Sequence, residues 1–427
     1  MKTRIARVSA RRVWDSRGRP TIEVEIGLTG GACGRAIAPA GASTGTGEAI
    51  DLRDGGPSFG GMDVKRALAG IDREIAPALV GMDAIDQGGI DLRLIALDGT
   101  PNKARLGGNA LIATSMAAAH AAAAGLGLPL WKYLSGGAEP GWIPLPEIQI
   151  FGGGAHAGRR IDIQDLMVVA VGAQDFATAL DWTAEVYRCA GRLLANKGRL
   201  AGVADEGGYW PMLDSNEEAL SLLLHAIEVA GFRPGEDVAI SLDIAASEFG
   251  REGLYRLDRE GRIFSRDEMI EMLIDWINKY PIVSIEDPLA EDDEAGLVAF
   301  TRAVGDRLQV IGDDFLVTNA QRVRRAAAVG ACNSVLIKPN QAGTLTETRA
   351  ALDAARDSGY SAVVSARSGE TEDVTIVHLA VGWGVPQLKV GSFTRSERMA
   401  KWNEGLRISE SLPTGGALPP RASLPWG

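Results

Sequence analysis

At 427 residues, 46% of them hydrophobic, the chain is long enough for two or three domains and rich enough to bury large cores. Its net charge of -11, with no run of like charges, excludes broad affinity for nucleic acid or anionic lipid, because such a surface repels phosphates. Three scattered cysteines, Cys33, Cys189 and Cys332, form no CxxC pair, so neither a disulfide framework nor a zinc site is indicated. A reducing, cytoplasmic setting fits them.

The opening "MKTRIARVSARRVW" is basic but has no apolar run after it, so it reads as folded structure rather than a secretory leader. "TIEVEIGL" alternates apolar and polar residues, the pattern of a half-exposed strand. "GRAIAPAGASTGTGEAIDLRDGG" follows as a glycine-rich loop. Leu106 to Leu126 is helical and alanine-rich, stopped by Gly127 and Pro129. "AAAHAAAAGLGLPL" is the longest bland apolar stretch and is too short and glycine-broken for a membrane span of about 20 apolar residues. "SGGAEPGWIPLP", Ser135 to Pro146, has the composition of a linker. It divides an N-terminal α+β domain, 1–135, from a C-terminal domain, 136–427.

Beyond the linker, short apolar runs end in polar residues. "VAISLD" ends at Asp243, "PIVSIED" reaches Glu286 and Asp287, and "LQVIGDD" reaches Asp313. "SVLIK" ends at Lys338, "SAVVSAR" at Arg367 and "PQLK" at Lys389. Continuous apolar strands alternating with amphipathic helices predict a parallel sheet covered on both faces. Closed into a barrel, such a sheet gathers its strand ends at one mouth, where barrel active sites lie. A doubly wound open sheet shares the alternation. The polar group ending each successive strand favours the barrel.

Asp243, Glu286 and Asp313 at one mouth would repel one another without a cation among them, and hard oxygen ligands suit Mg²⁺. Each acid alone reads equally well as a helix cap or a lysine partner. Lys338 and Lys389 suit a base, an anion grip or salt bridges to those acids. Asp165 opens the apolar "DLMVV", and Glu206 precedes two glycines. If those acids face each other, one tends to keep its proton and serves as a general acid. Of four histidines, His120, His225 and His378 fall in or beside helical patterns, and only His156, in "GGGAHAGRR", has a loop setting. Ser43 and Thr44 in "GASTG" suit a closing lid over metal or phosphate.

Together these pieces resemble enolase over nearly the whole chain. "WDSRGRPTIEVEI", "GASTGTGEAIDLRDGG", "GGGAHAGRRIDIQDLM", "DEGGYWP", "SLDIAASEF", "PIVSIEDPLAEDD", "IGDDFLVTN", "NSVLIKPNQAGTLTET", "SARSGETED" and "RSERMAKWNE" carry the likeness, in the family's order. The resemblance implies a small N-terminal α+β domain, a C-terminal barrel of modified (β/α)₈ type, two Mg²⁺ ions and a homodimer or higher homo-oligomer. It implies that Asp243, Glu286 and Asp313 hold the first Mg²⁺, with Ser43 serving a second ion and the substrate phosphate. Lys338 is then the base for 2-phosphoglycerate. Lys389 binds its carboxylate, Arg367 and Ser368 its phosphate, and His156 lines the substrate loop. Glu206, partnered by Asp165, protonates the departing hydroxyl.

The chain departs from that pattern on the leaving-group side. Ala366 stands where the family has histidine, and Asp165 where it has glutamate. Gly152 replaces asparagine, Ala155 serine, Pro339 valine and Ala342 isoleucine. Smaller side chains there predict space for a larger substituent. Three functions remain open: ordinary dehydration of 2-phosphoglycerate, synthesis of carboxyphosphonoenolpyruvate from it and an activated phosphonoformate, or a non-catalytic binding protein.

Overall fold

A computed structural model describes residues 2–427. The first part is an antiparallel meander of β1 (Ile5–Trp14), β2 (Pro20–Leu28) and β3 (Cys33–Ile37). The turn between β1 and β2 closes on Asp15, whose carboxylate accepts the backbone N–H groups of Arg17 and Arg19, both at 2.9 Å. Gly18 takes the left-handed φ of 70° that this turn needs.

Alternation in β2 predicts one wet face, yet the strand is buried at every position except the half-buried Glu25. The helix Gly108–Leu126 covers β2 and β3 so closely that a Cβ at Gly34 would sit 2.0 Å from the backbone nitrogen of Ala121. Arginines roof the other face. Glu23 pairs with Arg11 and Arg35, and Glu25 with Arg7 and Arg11. Their aliphatic stems cover the strand while their charges reach water. The same helix is long and apolar enough to cross a membrane, but 78% of it is buried within the protein.

The barrel comprises β4 (Leu145–Gly152), β5 (Asp165–Val169), β6 (Ala239–Asp243) and, after an outlying meander, five further strands. The meander is β7 (Gly250–Arg251), β8 (Leu254–Leu257) and β9 (Arg262–Ser265). The closing strands are β10 (Ile282–Glu286), β11 (Gln309–Gly312), β12 (Ser334–Ile337), β13 (Ser361–Ser365) and β14 (Gln387–Ser392). Around the barrel the order is β4, β5, β6, β10, β11, β12, β13, β14, with β14 pairing back to β4.

Two expectations need correction. The sheet is not wholly parallel, because β5 runs antiparallel to both β4 and β6. Its connection to β4, residues 153–164, contains only a 3₁₀ turn at Gly154–Ala157, not the helical crossover that a parallel pair needs. Asp165 therefore reaches the mouth from the start of a strand, opposite Gly152 and Asp243 in register. The second correction concerns Lys389, which lies inside β14 because that strand runs on to Ser392. The linker-like stretch also ends earlier than Pro146, since β4 begins at Leu145.

Local signals fix the outer helices. Ser265 and Glu268 form a capping box for Arg266–Lys279. Asn319 caps Ala320–Val329, and Gly330 ends it with a left-handed φ of 74°.

Candidate active site

Asp243, Glu286 and Asp313 meet at the mouth as expected, all buried. Glu286 lies opposite Asp243 in register, and Asp313 directly follows β11. Burial, and then the neighbouring Asp243, raises the Glu286 carboxyl well above the usual range. The Asp243 Oδ1 atom is buried without a hydrogen-bond partner among the described residues. An orphaned carboxylate oxygen beside two further acids is the donor chemistry of a hard divalent cation, so these residues fit Mg²⁺.

A second, tighter acidic group shares only Asp313 with that set: Asp287, Asp313 and Asp314 have oxygens within 4.8 Å of one another. Asp287 has a structural partner set. Its carboxylate accepts the backbone N–H groups of Asp313 at 2.8 Å and Asp314 at 2.9 Å, fixing the turn that presents Asp313. Asp314 is pushed up to about 8 by burial and by Asp313.

Both lysines make the salt bridges that were one of their alternative readings. Lys338 donates to Asp313 Oδ2, while Gln341 donates to Asp313 Oδ1 at 2.8 Å. Lys389 donates to Asp243 at 2.8 Å and Glu286 at 2.7 Å, with Asp165 at 3.5 Å. Burial opposes charge on Lys389, but Asp243 and Glu286 outweigh it and raise its proton affinity well above the ordinary value.

The turn after β13 carries Ala366, Arg367 and Ser368, all buried. Ala366 donates its N–H to the Lys389 carbonyl at 2.9 Å, which keeps the turn against β14. Arg367 reaches into the glycine-rich loop: it contacts both oxygens of Glu48, at 3.0 and 3.3 Å, and the Ser43 carbonyl at 2.8 Å. The loop approaches so closely that a Cβ on Gly41 would lie 2.0 Å from the guanidinium. Thr46 latches the outer edge. Its N–H and hydroxyl donate to Glu291 at 2.9 and 2.7 Å, and Arg322 donates to its carbonyl at 2.6 Å.

On the opposite side, Asp165 and Glu206 are neighbours, but Asp165 spends its hydrogen bonds elsewhere. His156 Nε2 lies 3.1 Å from Asp165 Oδ1, to which Gln149 also donates. The β4–β5 hairpin folds His156 back over Asp165, so the acid that neighbours Glu206 also carries a histidine partner. Burial opposes the charge on both partners, yet each holds the other ionised. Asp165 falls below its usual range, and His156 is pushed up to about 9. Glu206 moves the other way, raised by burial and by the charge of Asp165.

The expected extra space at Gly152 is absent. A Cβ there would meet the Ala204 Cβ at 2.7 Å and the Gln149 amide nitrogen at 3.2 Å. Sequence reading missed several residues that order the site. Arg398, fully buried, donates to the carbonyls of Arg367, Val390 and Ser368 at 2.7–2.8 Å and so fixes the anion-facing turn. Gln164 donates to Asp243 at 2.9 Å. Glu147 lies fully buried in the barrel, bonded to Ser241. The motif "RSERMAKWNE" contained the signal for Arg398, since an arginine in a buried helical pattern needs acceptors.

Comparisons with known proteins agree with this architecture. The description "Enolase, N-terminal domain" matches residues 5–134, and "Enolase, C-terminal TIM barrel domain" matches residues 141–419. The chain is 49% identical over 419 residues to Enolase 1 of Desulfitobacterium hafniense, which covers 97% of this chain and 96% of that protein. With both domains matched and a carboxylate-lined barrel mouth beside a glycine-rich loop, the chain belongs to the enolase family and is a lyase of that superfamily.

Proposed function

We propose that the chain dehydrates 2-phosphoglycerate to phosphoenolpyruvate with two bound Mg²⁺ ions, using the division at 135/136 to set a lid-bearing domain over a catalytic barrel. The observation that carries this reading is the divergence of two neighbouring acids: Asp165 is held ionised while Glu206 is pushed toward its protonated form. A proton donor next to a fixed anion suits departure of a hydroxyl. Lys338 stands across the site, in contact with the acid cluster.

Asp243, Glu286 and Asp313 would hold one metal ion, and Ser43 would serve the second together with the phosphate. Bound there, the ions would stabilise the charge that builds on the substrate carboxylate. Asp313 would be the metal ligand nearest Lys338; Lys338, once its ammonium proton has passed to water, takes the α-proton as the neutral amine. Lys389 holds the substrate carboxylate. Arg367 exchanges the Glu48 carboxylate for the substrate phosphate, with Ser368 beside it. His156 lines the loop. Glu206 gives its proton to the hydroxyl as the carbon–oxygen bond breaks, and water leaves.

Family membership makes a non-catalytic role untenable. The filled volume at Gly152 weighs against a second, phosphonoformate-derived substrate. We read the chain as a soluble, cytoplasmic homo-oligomer. The test is Mg²⁺-dependent exchange of the α-proton of 2-phosphoglycerate in deuterated water, with phosphoenolpyruvate followed in the same tube. Exchange with rapid product formation supports the proposal. Exchange without product points to a retuned second step, and absence of both overturns the substrate.

A further inference from the structure

We infer that Gln149 is a positioning residue that sets the spacing of the two acids on the leaving-group side. It lies on β4, 1% exposed, and its amide joins two separate segments. The amide oxygen accepts the Gly208 N–H at 2.7 Å, and the amide nitrogen donates to Asp165 Oδ1. These partners fix the orientation of the group, since a backbone N–H requires an acceptor and an ionised carboxylate requires a donor. Gln149 therefore ties the start of β5, which carries Asp165, to the turn that carries Glu206.

Two glycines make room for this tie. A Cβ on Gly208 would sit 2.4 Å from the Gln149 amide oxygen, and one on Gly152 would sit 3.2 Å from its nitrogen. A longer side chain at either place would displace the amide. The rest of the Glu206 turn is anchored from outside. Tyr187 and Thr394 hydroxyls donate to the Gly207 carbonyl at 2.9 and 2.7 Å, and the Ser392 N–H donates to the Glu206 carbonyl at 2.9 Å. Gln149 is the side-chain tie that links the turn directly to Asp165, beside a longer path in which the Asp205 N–H donates to the His156 carbonyl at 3.2 Å.

The inference rests on the proposed dehydration, because the spacing matters for the step in which Glu206 gives up its proton. Gln149→Met keeps the length and removes both amide bonds. In deuterated water it should leave α-proton exchange within about threefold of the parent and lower phosphoenolpyruvate formation by about 10²-fold, the scale of one misplaced acid. The double variant Gln149→Asn with Asp165→Glu moves one methylene across the bridge and should recover product formation to within about tenfold. A parallel fall in exchange and product, or an unchanged product rate, overturns the inference. If the parent itself neither exchanges nor dehydrates 2-phosphoglycerate, the proposed function fails instead. The His156 ring titration, followed by NMR in the parent and in Gln149→Met, then decides: a displaced midpoint upholds the tie, and an identical one refutes it.

Discussion

The two sides of the barrel mouth solve the same problem by different means. On the Lys338 side, charge opposes charge: Lys338 bonds Asp313, and Lys389 bonds Asp243 and Glu286. On the Asp165 side, the ionised acid is held by the charged His156, by Lys389 at 3.5 Å and by one neutral amide, and its neighbour Glu206 is driven toward the protonated state. Ion pairs that a metal or substrate can replace suit a group that must change its proton. The Asp165 side adds to its ion pair a neutral tie, the Gln149 amide oxygen on the Gly208 N–H, which suits a turn whose geometry must persist while a proton leaves.

Breaking the Lys338 side should give the largest effect. Lys338→Ala removes the proposed base, so exchange and dehydration should fall together by roughly 10²- to 10⁴-fold, measured by deuterium uptake and product absorbance. On the other side the two rates should separate. Glu206→Gln should keep exchange and lower product formation by about 10²-fold. If the raised Glu206 carboxyl is the proton donor proposed, dehydration by the parent should decline as pH rises through that titration, and the variant should lack this limb.

His156 sharpens the contrast through stability. Its folded proton affinity, pushed up to about 9, exceeds that of an unfolded histidine. The His156–Asp165 pair therefore stabilises fully below about pH 6.5 and loses that stabilisation as pH rises through about 9, with a ceiling on the order of 3 kcal/mol. Denaturant unfolding of the parent and His156→Gln should differ most near pH 6 and converge by pH 10. Least affected should be Thr46→Val, which removes one exposed hydroxyl bond of the lid latch. A loss of about 1 kcal/mol corresponds to a roughly fivefold higher KM, with kcat little changed.

The ion-pair side was the legible one. Asp243, Glu286 and Lys338 sit at or just beyond the ends of mainly apolar runs, the pattern of strands buried on both faces. The direction of β5 was not legible, because "DLMVV" reads the same in either sense and the decision lies in the short loop before it. Gln149 was hidden for a related reason: an uncharged amide in an apolar run gives no signal until Gly208, 59 residues away, is brought beside it. The contact between Arg367 and Glu48 spans 319 residues and joins the lid to the barrel, which no local pattern encodes. The resemblance to enolase supplied the residue roles that periodicity alone left open.

The reversed β5 makes residues 153–164 the tip of a hairpin at the mouth, where a (β/α) unit would carry its chain away to the outer helices. Insertions in a tip of this kind leave the paired register behind it unchanged. His156 lies buried in that tip, packed against Asp165. Tips of different length grafted beyond His156 should therefore leave the eight barrel strands in place.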